Sequence, residues 1–362
     1  SIGMMLFTTR PVGDAMATTI WGASSSWTLT ALPLFVWMGE ILFRTKLSEN
    51  LFEGLSPWMQ KLPGGLVHVN VVGCALFAAI SGSSAATVAT VGKMSIPELR
   101  KRKYPESILL GSLAGSGTLG LLIPPSIILI IYGVTVQESI AKLFIAGILP
   151  GIMIALIFMT YVMIWSSINK KSMPTFKQDF TLMEKVRKSG KLIPVILLIV
   201  SVIGSIYTGI ATATEAASLG VVGALILSYF QKSLSLKTFK ESLLGATKTS
   251  CMIAFILAGA TFLSLAMGFT GLPRNLALWI EGMELSPYVL IFVLMIFYII
   301  LGMFLDGISA VVLTMAIIEP MIRQAGFDMI WFGVFLVIVV EMAQITPPVG
   351  FNLFVLHEEQ KD

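Results

Sequence analysis

The chain has 362 residues, 56% of them hydrophobic and only 12% charged, with a mean hydropathy of +0.89 and a formal net charge of +4. That much apolar surface excludes a soluble domain of this size. The apolar runs are too long for barrel strands and lack period-2 alternation, so the composition leaves a polytopic, all-α membrane protein.

Residues 1–21 read as part of an N-terminal span and its connection. Ser1–Arg10 do not form a signal peptide, because a basic n-region and a small-residue cleavage site are missing. An apolar run at 28–43 is followed by an amphipathic segment at 46–62 that is too polar to span. Residues 65–97 are long enough for two short helices and are interrupted by the small polar stretch Ser81–Ala86. The basic segment ELRKRKY (98–104) leads to an apolar run at 106–133, which Pro124-Pro125 breaks. Runs at 143–166, 192–208, 213–230 and 249–268 approach or exceed the roughly 20 residues that a span needs. A second amphipathic segment, 271–282, precedes a run at 286–320 interrupted at Asp306–Ala310. A last run at 329–356 is broken by Pro347-Pro348, and residues 357–362 form a C-terminal tail.

Two parts of this order match one another. An offset of 225 lays Gly82, Ser84 and Ala85 on Gly307, Ser309 and Ala310. An offset of 223 lays Pro97, Arg100 and Pro124-Pro125 on Pro320, Arg323 and Pro347-Pro348. Residues 22–135 and 247–356 therefore read as copies of one unit, with 136–246 as connecting scaffold helices. The basic residues set the orientation. Segment 170–191 holds Lys170, Lys171, Lys177, Lys185, Arg187, Lys188 and Lys191 against Asp179 and Glu184, and 231–248 holds four Lys against Glu241. Both are expected to be cytoplasmic loops. The connection near Thr208–Ser218 carries Glu215 and no base, as a periplasmic turn should. Segment 98–104 is basic but its counterpart MIRQAGFD is not, so the two copies face opposite ways. The expected fold is a pair of inverted-topology repeats, each with a re-entrant helical hairpin (65–97 and 286–320) and a broken transmembrane helix (106–133 and 329–356).

Backbone that leaves a helix at membrane depth survives only inside protein or beside an aqueous cavity, which implies a site. Free N-terminal amides attract a carboxylate, whereas unwound carbonyls and hydroxyls suit a small hard cation such as sodium. Ser81, Ser83, Ser84, Ser116 and Thr118 line the breaks of one copy, and Asp306, Ser309, Gln344 and Thr346 those of the other. Gly115, Gly117, Gly120, Gly307 and Gly350 let the backbone bend toward an ion. The Pro-Pro steps withhold donors, leaving carbonyls of the preceding turn without helical partners.

The stretches LPLFVWMGEIL, FAAISGSSAA, GTLGLLIPPSIILIIYG, LFIAGILPG, TATEAA, GMFLDG and TPPVGFNLFV, taken together, resemble the large membrane subunit of the tripartite ATP-independent periplasmic (TRAP) transporters over about residues 1–356. The resemblance implies an elevator-like secondary transporter of the bacterial inner membrane, driven by a sodium gradient. It implies two partners, a small membrane subunit and a periplasmic substrate-binding protein, and an organic-acid substrate such as sialic acid or a C4-dicarboxylate. SGSSAATVATVGK and GSLAGSGTLGLLIPPS look closest to the sialic-acid branch. Carried over residue by residue, one sodium site would use Ser81, Gly82, Ser83 and Ser84 with Gly115, Gly117 and Thr118. The second would use Asp306, Gly307 and Ser309 with Gln344, Thr346 and Pro347. Substrate would sit between the tips, near Ser83, Ser309 and Asn352. The family continues into a further transmembrane helix after Leu356, so the chain is expected to be a fragment of a longer subunit. No cofactor beyond sodium and no nucleic-acid partner is implied.

A charge at membrane depth is costly, which makes Asp306 a functional candidate. Glu40 and Glu215 lie near span ends, where a carboxylate can cap a helix or reach water. Arg100 and Arg323 mark hairpin ends. His68 has no metal-ligand neighbours in sequence, Cys74 and Cys251 read as inert core packing, and the seven Trp fit interfacial belts. Segments 46–62 and 271–282 read as interfacial arms linking a scaffold to a moving domain. A channel built on re-entrant loops is the alternative, distinguished by current without gradient coupling. No HExxH, nucleophile–base pair or nucleotide-binding loop points to an enzyme.

Overall fold

The computed structural model describes residue 4 and residues 11–45, 47–174, 180–282 and 286–359. Lys46, Lys177, Asp179, most of Ser1–Arg10 and the last three residues of the tail lie outside the described residues. Among the described residues the chain is helical, with no strand.

Helix α1 (Val12–Ser24) leads through a 3₁₀ turn into α2 (Ala31–Phe43), with a bend of 52° between them. The first amphipathic arm is α3 (Leu47–Met59). The first hairpin is α4 (Val67–Ser81) and α5 (Ser84–Lys101), packed against one another across a two-residue break. The broken span comprises α6 (Glu106–Gly117), the single turn α7 (Leu119–Leu122) and α8 (Ile127–Thr135). Next come α9 (Ile140–Ile168), α10 (Leu182–Ser189), α11 (Ile193–Tyr207) and α12 (Ala213–Phe230). Helix α13 (Leu236–Thr270) leads to the second arm α14 (Leu272–Glu281), the pair α15 (Pro287–Gly302) and α16 (Gly307–Gln324), and α17 (Met329–Gln344) with α18 (Phe351–Glu359).

Short polar residues start many of these helices. Ser83, Ser126, Ser139, Thr212, Ser235, Ser286, Asp306 and Asp328 each accept a backbone N–H of the first turn. Thr212 and Glu215 form a reciprocal capping box at the start of α12, which gives Glu215 a structural task.

Burial separates an inner set from an outer one. The most apolar window of the broken span is 89% buried, against 22% for α9 and 17% for α13. Helix α4 is enclosed by α2, α5, α6 and α9, whereas α9, α11 and α13 turn Leu149, Leu197 and Phe255 outward. Apolar side chains on the outer helices suit contact with lipid.

Two stretches expected as loops contain helix. Segment 170–191 carries α10, opened by a Thr181–Glu184 capping box. Segment 231–248 joins α13 from Leu236 onward. Lysines at helical spacing on a polar face hide the period that an apolar residue would reveal. At 35 residues α13 is about 52 Å long, so its basic first turns extend past the roughly 30 Å hydrocarbon layer. Helix α10 and the turn that follows it are held to α3 by three contacts. Trp58 donates to the Ser189 hydroxyl at 2.7 Å, Ser189 donates to the Gly54 carbonyl at 3.1 Å, and Lys191 pairs with Glu53. Of the two cysteines, Cys74 is buried as expected, but Cys251 is exposed on the outer helix α13. His68 is buried, with Nε2 2.8 Å from the Pro63 carbonyl.

Candidate functional site

The first tip is a helix C-terminus closed by Gly82 in the left-handed conformation, at φ +59°. A side chain is excluded there, because a Cβ would fall 2.6 Å from the Pro125 carbonyl oxygen. In return the Ile127 N–H donates to the Gly82 carbonyl at 3.3 Å. The hairpin tip and the Pro-Pro break, with Pro125 lying 43 residues after Gly82 in sequence, thus meet backbone to backbone. Gly120 completes the contact, since a Cβ on it would lie 2.6 Å from the Ser83 carbonyl oxygen.

The hydroxyls behind the tip are directed, and those of Ser81, Ser84 and Thr87 are buried. Ser81 Oγ lies 2.9 Å from Thr87 Oγ1, and Thr87 donates to the Ser83 carbonyl at 2.7 Å. Ser83 Oγ accepts from the Ala86 N–H. Ser84 Oγ donates at 2.6 Å to Oε1 of Glu341 on α17. Thr118 is buried and turns its hydroxyl to the Gly115 carbonyl of its own helix, at 2.6 Å. Of the remaining expected members, Gly117 lies against Val88 one turn beyond the tip, while Gly115 faces Phe158 of α9. The closest approach to the tip is made by Gly120.

The second tip is built differently. Asp306 caps α16, its Oδ2 accepting the Ser309 N–H at 3.1 Å, and its side chain is exposed. The break covers Met303–Asp306, so Gly307–Ala310, expected as part of the interruption, forms the first helical turn. Gly307 brings the tip against α17 and α8, because a Cβ would lie 2.8 Å from Gln344 Nε2 and 3.2 Å from Ile128 Cδ1. Thr346 turns its hydroxyl back to the Met342 carbonyl at 2.7 Å, and Pro347 is exposed. The carbonyls before each Pro-Pro step are partly taken by side chains, with Ser126 donating to Leu121 and Thr346 to Met342.

Asn352 of α18 is fully buried, and neither its Oδ1 nor its Nδ2 has a hydrogen-bond partner. Orphaned polar atoms in a core cost about 1–3 kcal/mol each unless something else satisfies them. Among the described residues no hydrogen bond joins Ser83, Ser309 and Asn352. A cavity of about 320 Å³ beside the first tip is lined by Ser81, Ser83, Ala86, Glu40, Thr249 and Val355. Glu40 pairs with Arg44, which also approaches Glu241 at 3.9 Å. A second cavity of about 750 Å³ lies between α1, α13, α8 and α16, with Glu138 and Glu319 on its wall. Arg323 holds these carboxylates at 3.7 and 3.0 Å.

Glu341 is the residue that sequence reasoning missed. It is 3% exposed, and it is the lone charged residue in the apolar run Met329–Ala343. That isolation was the available signal.

The profile of the tripartite ATP-independent periplasmic transporter DctM component matches residues 1–358. The C4-dicarboxylate TRAP transporter large permease protein DctM of Pseudomonas aeruginosa is 33% identical over 357 residues, 98% of this chain and 82% of that protein. The isethionate TRAP transporter permease protein DctMQ of Oleidesulfovibrio alaskensis is 32% identical over 350 residues, 94% of this chain and 54% of that protein. The Alcanivorax borkumensis YdaH transporter superposes with a TM-score of 0.59 at 13% identity, over 96% of this chain and 80% of that one, a likeness of fold alone. With at least six helices long and apolar enough to cross a membrane, the chain is a multi-pass protein of the bacterial inner membrane. It belongs to the DctM component family of the tripartite ATP-independent periplasmic transporters.

Proposed function

We propose that this permease carries out sodium-coupled uptake of a small organic acid by an elevator-like alternation of access. Cargo is handed over by a periplasmic substrate-binding protein, and a small membrane subunit supports the scaffold. The observation that carries this reading is the backbone contact of Gly82 with Pro125 and Ile127, set beside the approach of Gly307 to Gln344. Each tip meets a break in another helix, which gathers carbonyls, hydroxyls and a carboxylate at membrane depth.

In this reading the first sodium ion takes oxygens of Ser81, Gly82, Ser83, Ser84, Gly115, Gly117 and Thr118. The second takes oxygens of Asp306, Gly307, Ser309, Gln344, Thr346 and Pro347. The two units, 22–135 and 247–356, are inverted copies, and the hairpins and broken helices within them move against the scaffold 136–246 while the arms link the two. The substrate carboxylate lies between the tips near Ser83, Ser309 and the unpaired amide of Asn352. An organic anion suits a site with free N-terminal amides. The relatives point the same way, since one is named for C4-dicarboxylates and another for isethionate, both organic anions.

The test is uptake into proteoliposomes of the subunit with its two partners, with and without an inward sodium gradient. Labelled succinate and labelled sialic acid are offered in parallel. Sodium-driven accumulation of one acid is the expected result and selects between the two classes. Uptake indifferent to sodium would overturn the ion sites, and uncoupled single-channel current would replace the transporter by a channel.

A further inference from the structure

Glu341 is a buried carboxyl without a countercharge. Its side chain is 3% exposed, Oε1 accepts from Ser84, and Oε2 has no hydrogen-bond partner. Among the described residues no Lys, Arg or His forms an ion pair with it. A carboxylate taken out of water without a countercharge is strongly disfavoured. The internal offset sharpens the point, because 341 − 223 = 118 lays Glu341 on Thr118. A hydroxyl stands in the first unit where the second has a carboxyl, and that carboxyl reaches across to Ser84 of the first hairpin.

We propose that Glu341 is the countercharge for a sodium ion at the first hairpin tip, acting as a positioning residue through Ser84. The inference rests on the sodium-coupled reading above. Because Ser84 donates its proton to Glu341, its oxygen lone pairs are left available to a cation. The carboxylate would lie behind the ligating oxygen, where burial strengthens its pull on a cation. The same helix carries Gln344 one turn later against Gly307 of the second tip. Glu341 and Gln344 thus set the two tips against one helix, α17.

The measurement is sodium binding to the purified full chain, read as the rise in melting temperature with sodium at constant ionic strength, with choline as the replacement cation. The unmodified protein should show a saturable rise. Glu341→Gln keeps an acceptor for Ser84 but removes the charge, and should move the sodium midpoint up by about tenfold or more. Ser84→Ala should weaken binding by a similar factor, and the double variant should lose little further, since the two act as a unit. Glu341→Asp should restore part of the affinity. A residue that merely stabilised the fold would lower the melting temperature without sodium and leave the midpoint in place. An unchanged midpoint in Glu341→Gln overturns the inference, as does an unchanged midpoint in Ser84→Ala should the first variant fail to fold. If the unmodified protein shows no sodium-dependent rise at all, the sodium-coupled reading falls with it.

Discussion

The phenol of Tyr132 donates to the carbonyl oxygen of Met329 at 2.7 Å, tying the last turn of the first broken span to the first turn of α17. Gly333 makes room for the ring, since a Cβ there would lie 2.5 Å from Tyr132 Cε1. The two Pro-Pro helices are thus fastened to each other at one end, while near the other Glu341 reaches Ser84.

Tyr132→Phe keeps the ring and removes the donor at a buried carbonyl, and should cost about 1–2 kcal/mol in thermal unfolding of the detergent-solubilised protein. Gly333→Ala presses a methyl into that ring and should destabilise by about 1–3 kcal/mol. A Tyr132→Phe variant as stable as the parent would show that the Met329 carbonyl finds another donor.

Gly120→Ala places a methyl 2.6–2.7 Å from the Ser83 carbonyl and the Ser84 Cα, both backbone atoms that no rotamer change can move aside. The hairpin tip must then shift, and sodium-dependent uptake should be lost. Gly111→Ala and Gly204→Ala meet nothing within 4 Å and serve as controls that should transport normally. Normal uptake by Gly120→Ala would mean that the tip is not held by this contact.

Asp306 combines a cap with a charge, and substitutions can separate them. Asp306→Ala removes both and should cost about 1 kcal/mol of stability through the lost cap. Asp306→Asn keeps an acceptor for the Ser309 N–H, so stability should hold while the sodium concentration for half-maximal uptake rises. Intact sodium dependence in Asp306→Ala would remove the second ion site.

The arm α3 is fastened to α10 and the scaffold by Glu53–Lys191 and the Trp58–Ser189–Gly54 contacts. A cross-link between cysteines at positions 53 and 191 should therefore form in every transport state and leave uptake intact. Loss of uptake on cross-linking would assign this end of the arm to the moving part.

Much of this was legible in the sequence because breaks in membrane helices demand particular residues. Gly82, Ser83 and the two Pro-Pro steps announce backbone that cannot continue a helix, and the structure interrupts its helices at these places. Short helices at α3 and α14 were also legible, as amphipathic runs between apolar ones. Charge misled at α10 and at the start of α13, where lysines read as loop while the backbone is helical. The role of Gly120 was not legible, since three glycines within six residues look alike until the fold decides which one faces Ser83. Glu341 was overlooked for a different reason. Its partner Ser84 lies 257 residues away and belongs to the other unit, so no local pattern joins them.

Gly39 of α2 lies against the end of α4, where a Cβ would be 3.2 Å from the Ile80 carbonyl and the Ser81 Cα. The neighbouring helix therefore meets the hairpin end through bare backbone at this point, with no knob seated in a hole. Interlocked side chains would have to change rotamer whenever one surface slid along the other. If the hairpin moves as proposed above, a bare backbone patch would let it pass without that rearrangement.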